Sequence, residues 1–121
     1  MARRPEEYLA DILEAVAAIR AYTRSGKRAF LRSAMARDAV IARILQIGEA
    51  VKGAQTGGID LEGLAPEVPW PQIAGMRDIL SHQYWRTDPE ILWGVAAKDL
   101  KPLQASIRKI RSARPAAKRK K

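Results

Sequence analysis

One histidine, His82, is the only side chain in these 121 residues that titrates near neutral pH unperturbed, and the chain has no cysteine. It stands in Gly75-Met76-Arg77-Asp78-Ile79-Leu80-Ser81-His82-Gln83-Tyr84-Trp85, five residues after an arginine and two before a tyrosine. Acid–base chemistry near pH 7 therefore runs through His82. Arg77 brings a permanent charge and a planar fork of donors that fits a phosphate oxygen. Asp78 lies four residues before His82, so on a helix the two stack, as do Arg77 and Ser81. The Asp78 carboxylate could then orient the ring through one nitrogen and leave the other free for proton transfer. Arg77 and His82, five apart, diverge by about 140° and share no face unless the helix unwinds. At the end of a helix the ring would also meet the negative pole, which favours its protonated form.

A histidine and an arginine without a metal suit transesterification of RNA through its own 2′-hydroxyl. The substrate brings the nucleophile, so the protein need only move protons and stabilise charge at phosphorus. A single histidine serves poorly as base and leaving-group acid in one step. A two-fold dimer would place a second His82 and a second Arg77 in the same cleft. The same residues also fit a plainer reading, in which His82 caps a helix, Arg77 and Asp78 form a surface pair, and Tyr84-Trp85 packs in a core or an interface.

Composition narrows the scaffold. The length allows one domain with one core, and a hydrophobic fraction of 47% with a single Phe calls for an aliphatic, helical interior. With one His and no Cys, neither a disulfide framework nor a structural zinc site is expected, and no cofactor is implied. Absent cysteines and an amphipathic start predict a cytoplasmic protein, and no apolar run is long enough for a membrane span. The net charge of +9 is unevenly placed. Residues 108–121 carry eight Lys and Arg and no acid, which leaves fourteen basic residues against all 13 acidic ones elsewhere. The basicity is thus mostly a tail, as compatible with a solubilising end as with nucleic-acid contact. The division predicted is a helical domain over 1–112 and a basic, disordered tail over 113–121.

Four helices should position the segment. Tyr8, Leu9, Ile12, Leu13, Val16, Ile19 and Tyr22 repeat at helical spacing, and Gly26 is the expected C-terminal cap. A second helix is predicted from about Lys27 to Lys52, with Gly48 in its apolar stripe marking close approach of another backbone. Glycines and prolines from Gly53 to Pro71 predict a long loop. Pro71 opens a third helix that ends near Ser81 or His82. Thr87-Asp88-Pro89-Glu90 starts a fourth, with a kink at Pro102. The fold class expected is all-α, a four-helix up-and-down bundle with a long loop before the third helix.

At this segment the sequence resembles the HepT-like proteins of the HEPN superfamily, small helical ribonuclease toxins. Their motif of Arg, a polar residue, three further positions, His, one position and Tyr stands here as Arg77-Asp78-Ile79-Leu80-Ser81-His82-Gln83-Tyr84. The flanks agree in order: Ile47-Gly48-Glu49-Ala50-Val51-Lys52, then Val68-Pro69-Trp70, then Ile73-Ala74-Gly75-Met76. Asp88, Ile91 and Trp93 extend the likeness, which covers about Ala39 to Leu103. It implies a metal-independent endoribonuclease, a homodimer whose two motifs meet at a cleft, with Arg77 and His82 catalytic and Asp78 supporting the site. It also implies a toxin paired with an MNT-type nucleotidyltransferase antitoxin that transfers AMP onto Tyr84. The family commonly has asparagine at the position of Asp78, and a carboxylate there could instead pair with Arg77. Two other readings remain beside the enzyme: a catalytically silent helical subunit that binds a nucleotidyltransferase, and a basic nucleic-acid-binding protein acting through its tail.

Overall fold

A computed structural model describes residues 3–83 and 86–114, apart from the Gln83 side chain. Every regular element among them is helical. Helix α1 (Pro5–Tyr22) opens with Pro5 and the acidic Glu6 and Glu7, residues that suit the missing N–H partners and positive pole of a first turn. It buries Leu9, Ile12, Ala15, Val16 and Ile19, the stripe expected from their spacing. The helix closes on Thr23, whose N–H and hydroxyl both donate to the Ile19 carbonyl, at 3.0 and 2.8 Å. Gly26, expected as its cap, instead precedes α2 (Lys27–Arg32) with φ at 97°, a conformation only glycine adopts without strain.

The single helix expected from Lys27 to Lys52 is broken at Ser33, between α2 and α3 (Ala34–Thr56). Ser33 adopts an extended backbone, and its hydroxyl accepts the Ala36 N–H at 3.0 Å. Here a serine offers the chain a local hydrogen bond that competes with helix propagation. Arg37 closes the corner by donating from Nη1 to the Leu31 carbonyl at 2.7 Å.

Helix α3 then runs past Gly53, where the loop was expected to begin. The Tyr8 ring lies against this glycine: a Cβ there would be 2.6 Å from Tyr8 Cζ. The remaining connection contains α4 (Leu61–Leu64), capped by the Asp60 carboxylate, which accepts the Gly63 N–H at 3.0 Å. Ile59, Leu61, Ala65 and Val68 are buried, and the indole N–H of Trp70 donates to Ala65 O at 2.8 Å. These contacts dock the segment before α5 (Trp70–Gln83). Pro71 lies in the first turn of α5, as predicted.

The last rod is one helical run. Helix α6 (Pro89–Gly94) starts at Asp88, whose side chain accepts the Glu90 N–H at 2.8 Å. A π-segment, Val95–Asp99, joins it to α7 (Leu100–Ala113). There the Leu100 N–H reaches Val95 O, five residues back. Pro102 would meet the Lys98 carbonyl in a regular helix, and the wider turn around Lys98 is how the run passes it. The four expected rods are therefore present as α1, α3, α5 and α6–α7, with two short helices added. Helix α1 packs on α3 and α7, and α3 also carries α5. Arg20 Nη1 donates to the buried Gln104 at 2.8 Å, and Arg114 pairs with Glu6 at 2.8 Å, so both ends of α7 are tied to α1. No helix among the described residues is long and apolar enough to cross a membrane.

Candidate active site on helix α5

Positions on α5 sort its side chains into rows. Trp70, Ala74, Asp78 and His82 are each four apart, and Ile73, Arg77 and Ser81 form the neighbouring row. The inward side, with Ile73, Met76 and Leu80, is buried and fixes the rotation of the helix on the core. Arg77 crosses toward α3. Its stem passes directly over Gly48, where a Cβ would fall 2.7 Å from Arg77 Cγ and 3.0 Å from its Cβ. The close approach that Gly48 signals is thus made by a side chain, not by a second backbone.

The Arg77 guanidinium is held by two carboxylates. Nε donates to Glu49 at 3.1 Å, Nη2 also donates to Glu49, and Nη1 donates to Asp78 at 3.3 Å. The hydrogen bonds from Arg77, with its charge adding to them, hold the Glu49 carboxyl below the usual carboxylate range. Glu49 in turn raises the guanidinium pKa further above its ordinary value. Any anion that binds the arginine must therefore compete with Glu49. Nothing local in the sequence pairs these residues, which are 28 positions apart. The only sequence hint of the contact is the glycine beside Glu49 in an otherwise apolar stripe.

His82 occupies the last turn of α5 and is exposed. Its Nδ1 lies 3.0 Å from the Asp78 carbonyl oxygen. A carbonyl only accepts, so this contact places the ring proton on Nδ1 and leaves Nε2 with a free lone pair in the neutral ring. The ring is oriented by the backbone of Asp78, while the carboxylate expected in that role is turned to Arg77. Helix α5 stays regular through Gln83, so Arg77 and His82 remain on faces about 140° apart. Tyr84 and Trp85 lie outside the described residues.

Two grooves flank α5. One, of about 190 Å³, lies between α3, α4 and α5 and ends at Arg77 and Asp78. The other, of about 400 Å³, is apolar and runs between α5 and the α6–α7 rod, lined by Gly75, Ile79, Ile91, Gly94, Lys98 and Asp99. Ile79 and Ile91 are 51% and 53% exposed there. No group of three or more His, Cys, Asp or Glu suited to a metal ion occurs among the described residues.

The family model described as "Ribonuclease HepT-like" matches residues 12–110, and so spans every element of this site. The chain belongs to the HepT-like ribonuclease family. It is 37% identical over 112 residues to the protein named "Probable ribonuclease HepT" of Thermococcus cleftensis, covering 92% of this chain and 99% of that one. An inferred RNase of Methanocaldococcus jannaschii, MJ1380, is 30% identical over 106 residues, covering 87% of this chain and 94% of that protein. A longer protein of the same organism, named as a gamma-glutamylcyclotransferase and inferred RNase, is 38% identical over 104 residues, which are 85% of this chain and 46% of that protein. No solved structure matches the chain. Membership in the family makes this protein a ribonuclease.

Proposed function

We propose that the protein is a toxin-type endoribonuclease that cleaves RNA by metal-independent transesterification at a homodimer cleft. One observation carries this reading: His82 is exposed at the end of α5 with Nδ1 tied to a carbonyl, which leaves Nε2 available as a base. In the reaction, Nε2 removes the 2′-hydroxyl proton, the 2′-oxygen attacks phosphorus, and the bond to the 5′-oxygen breaks. The products are a 2′,3′-cyclic phosphate and a 5′-hydroxyl end. Arg77, released in part from Glu49, neutralises charge on the phosphoryl oxygens.

The departing 5′-oxygen needs a proton, and His82 of a second copy supplies the acid. The apolar groove on α5 is the surface proposed for that copy. Its glycines leave open space, since a Cβ at Gly75 or Gly94 would meet nothing within 4 Å. Lys98 and Asp99 lie side by side on its edge, so a two-fold axis would pair each with its opposite on the other copy. His82 is three residues beyond Ile79, next to that seam.

Neutralisation is proposed to occur at Tyr84. Its phenolic oxygen attacks the α-phosphorus of ATP on an MNT-type nucleotidyltransferase, and pyrophosphate leaves. The adduct would set a bulky anion two residues from His82 and repel RNA phosphate.

A second reading, a silent subunit that only binds the nucleotidyltransferase, draws support from the engagement of Arg77 by two carboxylates. The deciding experiment is cleavage of an oligoribonucleotide in excess chelator by wild type and His82→Ala. A cyclic-phosphate end made only by wild type supports the enzyme. Equal activity of the two proteins removes His82 from the chemistry, and no activity in either favours the silent subunit.

A further inference from the structure

The smaller groove beside Arg77 has a composition unlike the apolar one. Val51, Ile73 and Ala74 give it an apolar floor, and Trp70 closes one end. The Trp70 ring is 6% exposed and its N–H is spent on Ala65, so it offers carbon surface alone. Five of its ten lining residues are polar: Lys52, Gln55 and Glu62 on the rim, and Arg77 and Asp78 at the end away from Trp70. Gln55 and Glu62 are exposed, and neither takes part in a side-chain hydrogen bond among the described residues. A concave groove with an apolar floor and polar groups converging on it is the general form of a small-molecule site.

Its position fits the reaction. The groove ends at Arg77 and Asp78, and His82 follows Asp78 by one turn on the same row of α5. That step is about 6 Å along the axis, within the reach of one nucleotide. Continuity matters more than volume here, because a base seated between Ile73 and Val51 would leave its own phosphate at Arg77.

Resting on the ribonuclease reading, we propose that this groove is a nucleobase subsite that selects an amino-bearing base, guanine before the others, next to the cut phosphate. The Glu62 carboxylate only accepts hydrogen bonds, and the guanine edge presents two adjacent donors, N1–H and the 2-amino group. Gln55 and Lys52 can donate to the 6-oxo group. Uracil offers one donor flanked by two acceptors, which a carboxylate repels. Lys52, together with Arg77 once it is released in part from Glu49, supplies the positive charge for the attached phosphate.

The test is a titration of the full chain, followed by backbone amide shifts, with the 3′-monophosphates of guanosine, adenosine, cytidine and uridine and with ribose 5-phosphate. The expected result is saturable shifts at Gln55, Ile73 and Ala74 with guanosine 3′-monophosphate, bound roughly fivefold more tightly than the uridine compound. Glu62→Ala should remove most of that preference, and Gln55→Ala should weaken it without changing the phosphate response. Ribose 5-phosphate should move only residues near Arg77 and His82. Equal affinity for all four nucleotides, or shifts that bypass the groove, overturns the subsite. The two readings fail separately. Guanine binding without cleavage of any RNA would sink the ribonuclease assignment and leave the subsite standing, whereas cleavage with no response in the groove would do the reverse.

Discussion

Arg77 lies across the backbone of Gly48, and Glu49, the next residue on α3, holds its guanidinium. Position 48 works as a notch: without it the arginine could not cross from α5 to α3. Gly48→Ala would gain about 1 kcal/mol of helix propensity and lose about 1–3 kcal/mol to overpacking against the arginine stem. Thermal unfolding should therefore show a net destabilisation of at most about 2 kcal/mol. Cleavage should drop more sharply, by roughly tenfold or more in kcat/KM, because the guanidinium is displaced from the site.

Glu49→Gln removes one of the two carboxylates around Arg77. The guanidinium becomes more available to phosphate, so the apparent KM for RNA should fall. The dependence of log affinity on log salt should steepen by about 0.7 for the added single-strand contact. An unchanged salt slope would show that Glu49 does not compete with the phosphate for Arg77.

Acid should expose the same pair. The carboxyl of Glu49 titrates below its ordinary value of 4.5 in the folded chain because Arg77 hydrogen-bonds and attracts its charged form. Its contribution to stability is complete above the unfolded value and is lost as pH falls through the folded one. Glu67, lowered by the Ser106 hydroxyl, behaves alike. Denaturant unfolding should separate wild type from Glu49→Gln at pH 7, with the gap closing below about pH 4.

The α5 face tests the assembly. Ile79 is half exposed, so Ile79→Asp should fold normally as judged by circular dichroism. Light scattering should show a dimer for wild type and a monomer for the variant, and cleavage should vanish with the dimer. A fully active monomer would remove the need for two histidines.

Tyr84 can be tested by intact mass after co-expression with an MNT-type nucleotidyltransferase. An increase of one AMP that is absent in Tyr84→Phe is the expected outcome, with cleavage suppressed only in the modified protein.

The helical rods were legible because their apolar residues recur every three or four positions, and burial of Leu9, Ile12, Val16 and Ile19 follows that period directly. Breaks were harder. Ser33 and Gly53 carry opposite local signals from the outcome: the serine ends a helix through its own hydroxyl, and the glycine stays helical because the Tyr8 ring needs the space. The serine's effect is local, whereas the glycine's depends on Tyr8, a residue brought in by the fold. The candidate site divides in the same way. Arg77 and His82 stand out by type and spacing, whereas Glu49 becomes visible only once α3 lies beside α5, and the carbonyl that orients His82 has no residue type to betray it.

The π-segment at Val95–Asp99 has a consequence for how this gene can vary. It holds one more residue than a regular turn, and removing any single codon there would leave a smoother helix. Every side chain downstream would keep its face, because the wide turn absorbs the extra residue locally. Leu103, Ile107 and Ile110 would stay buried and Gln104 would keep Arg20, whereas one codon lost from the regular turns of α7 would rotate everything beyond it by about 100°. The segment is thus the one stretch of this rod where the gene could lose a codon and leave what the last helix buries unchanged.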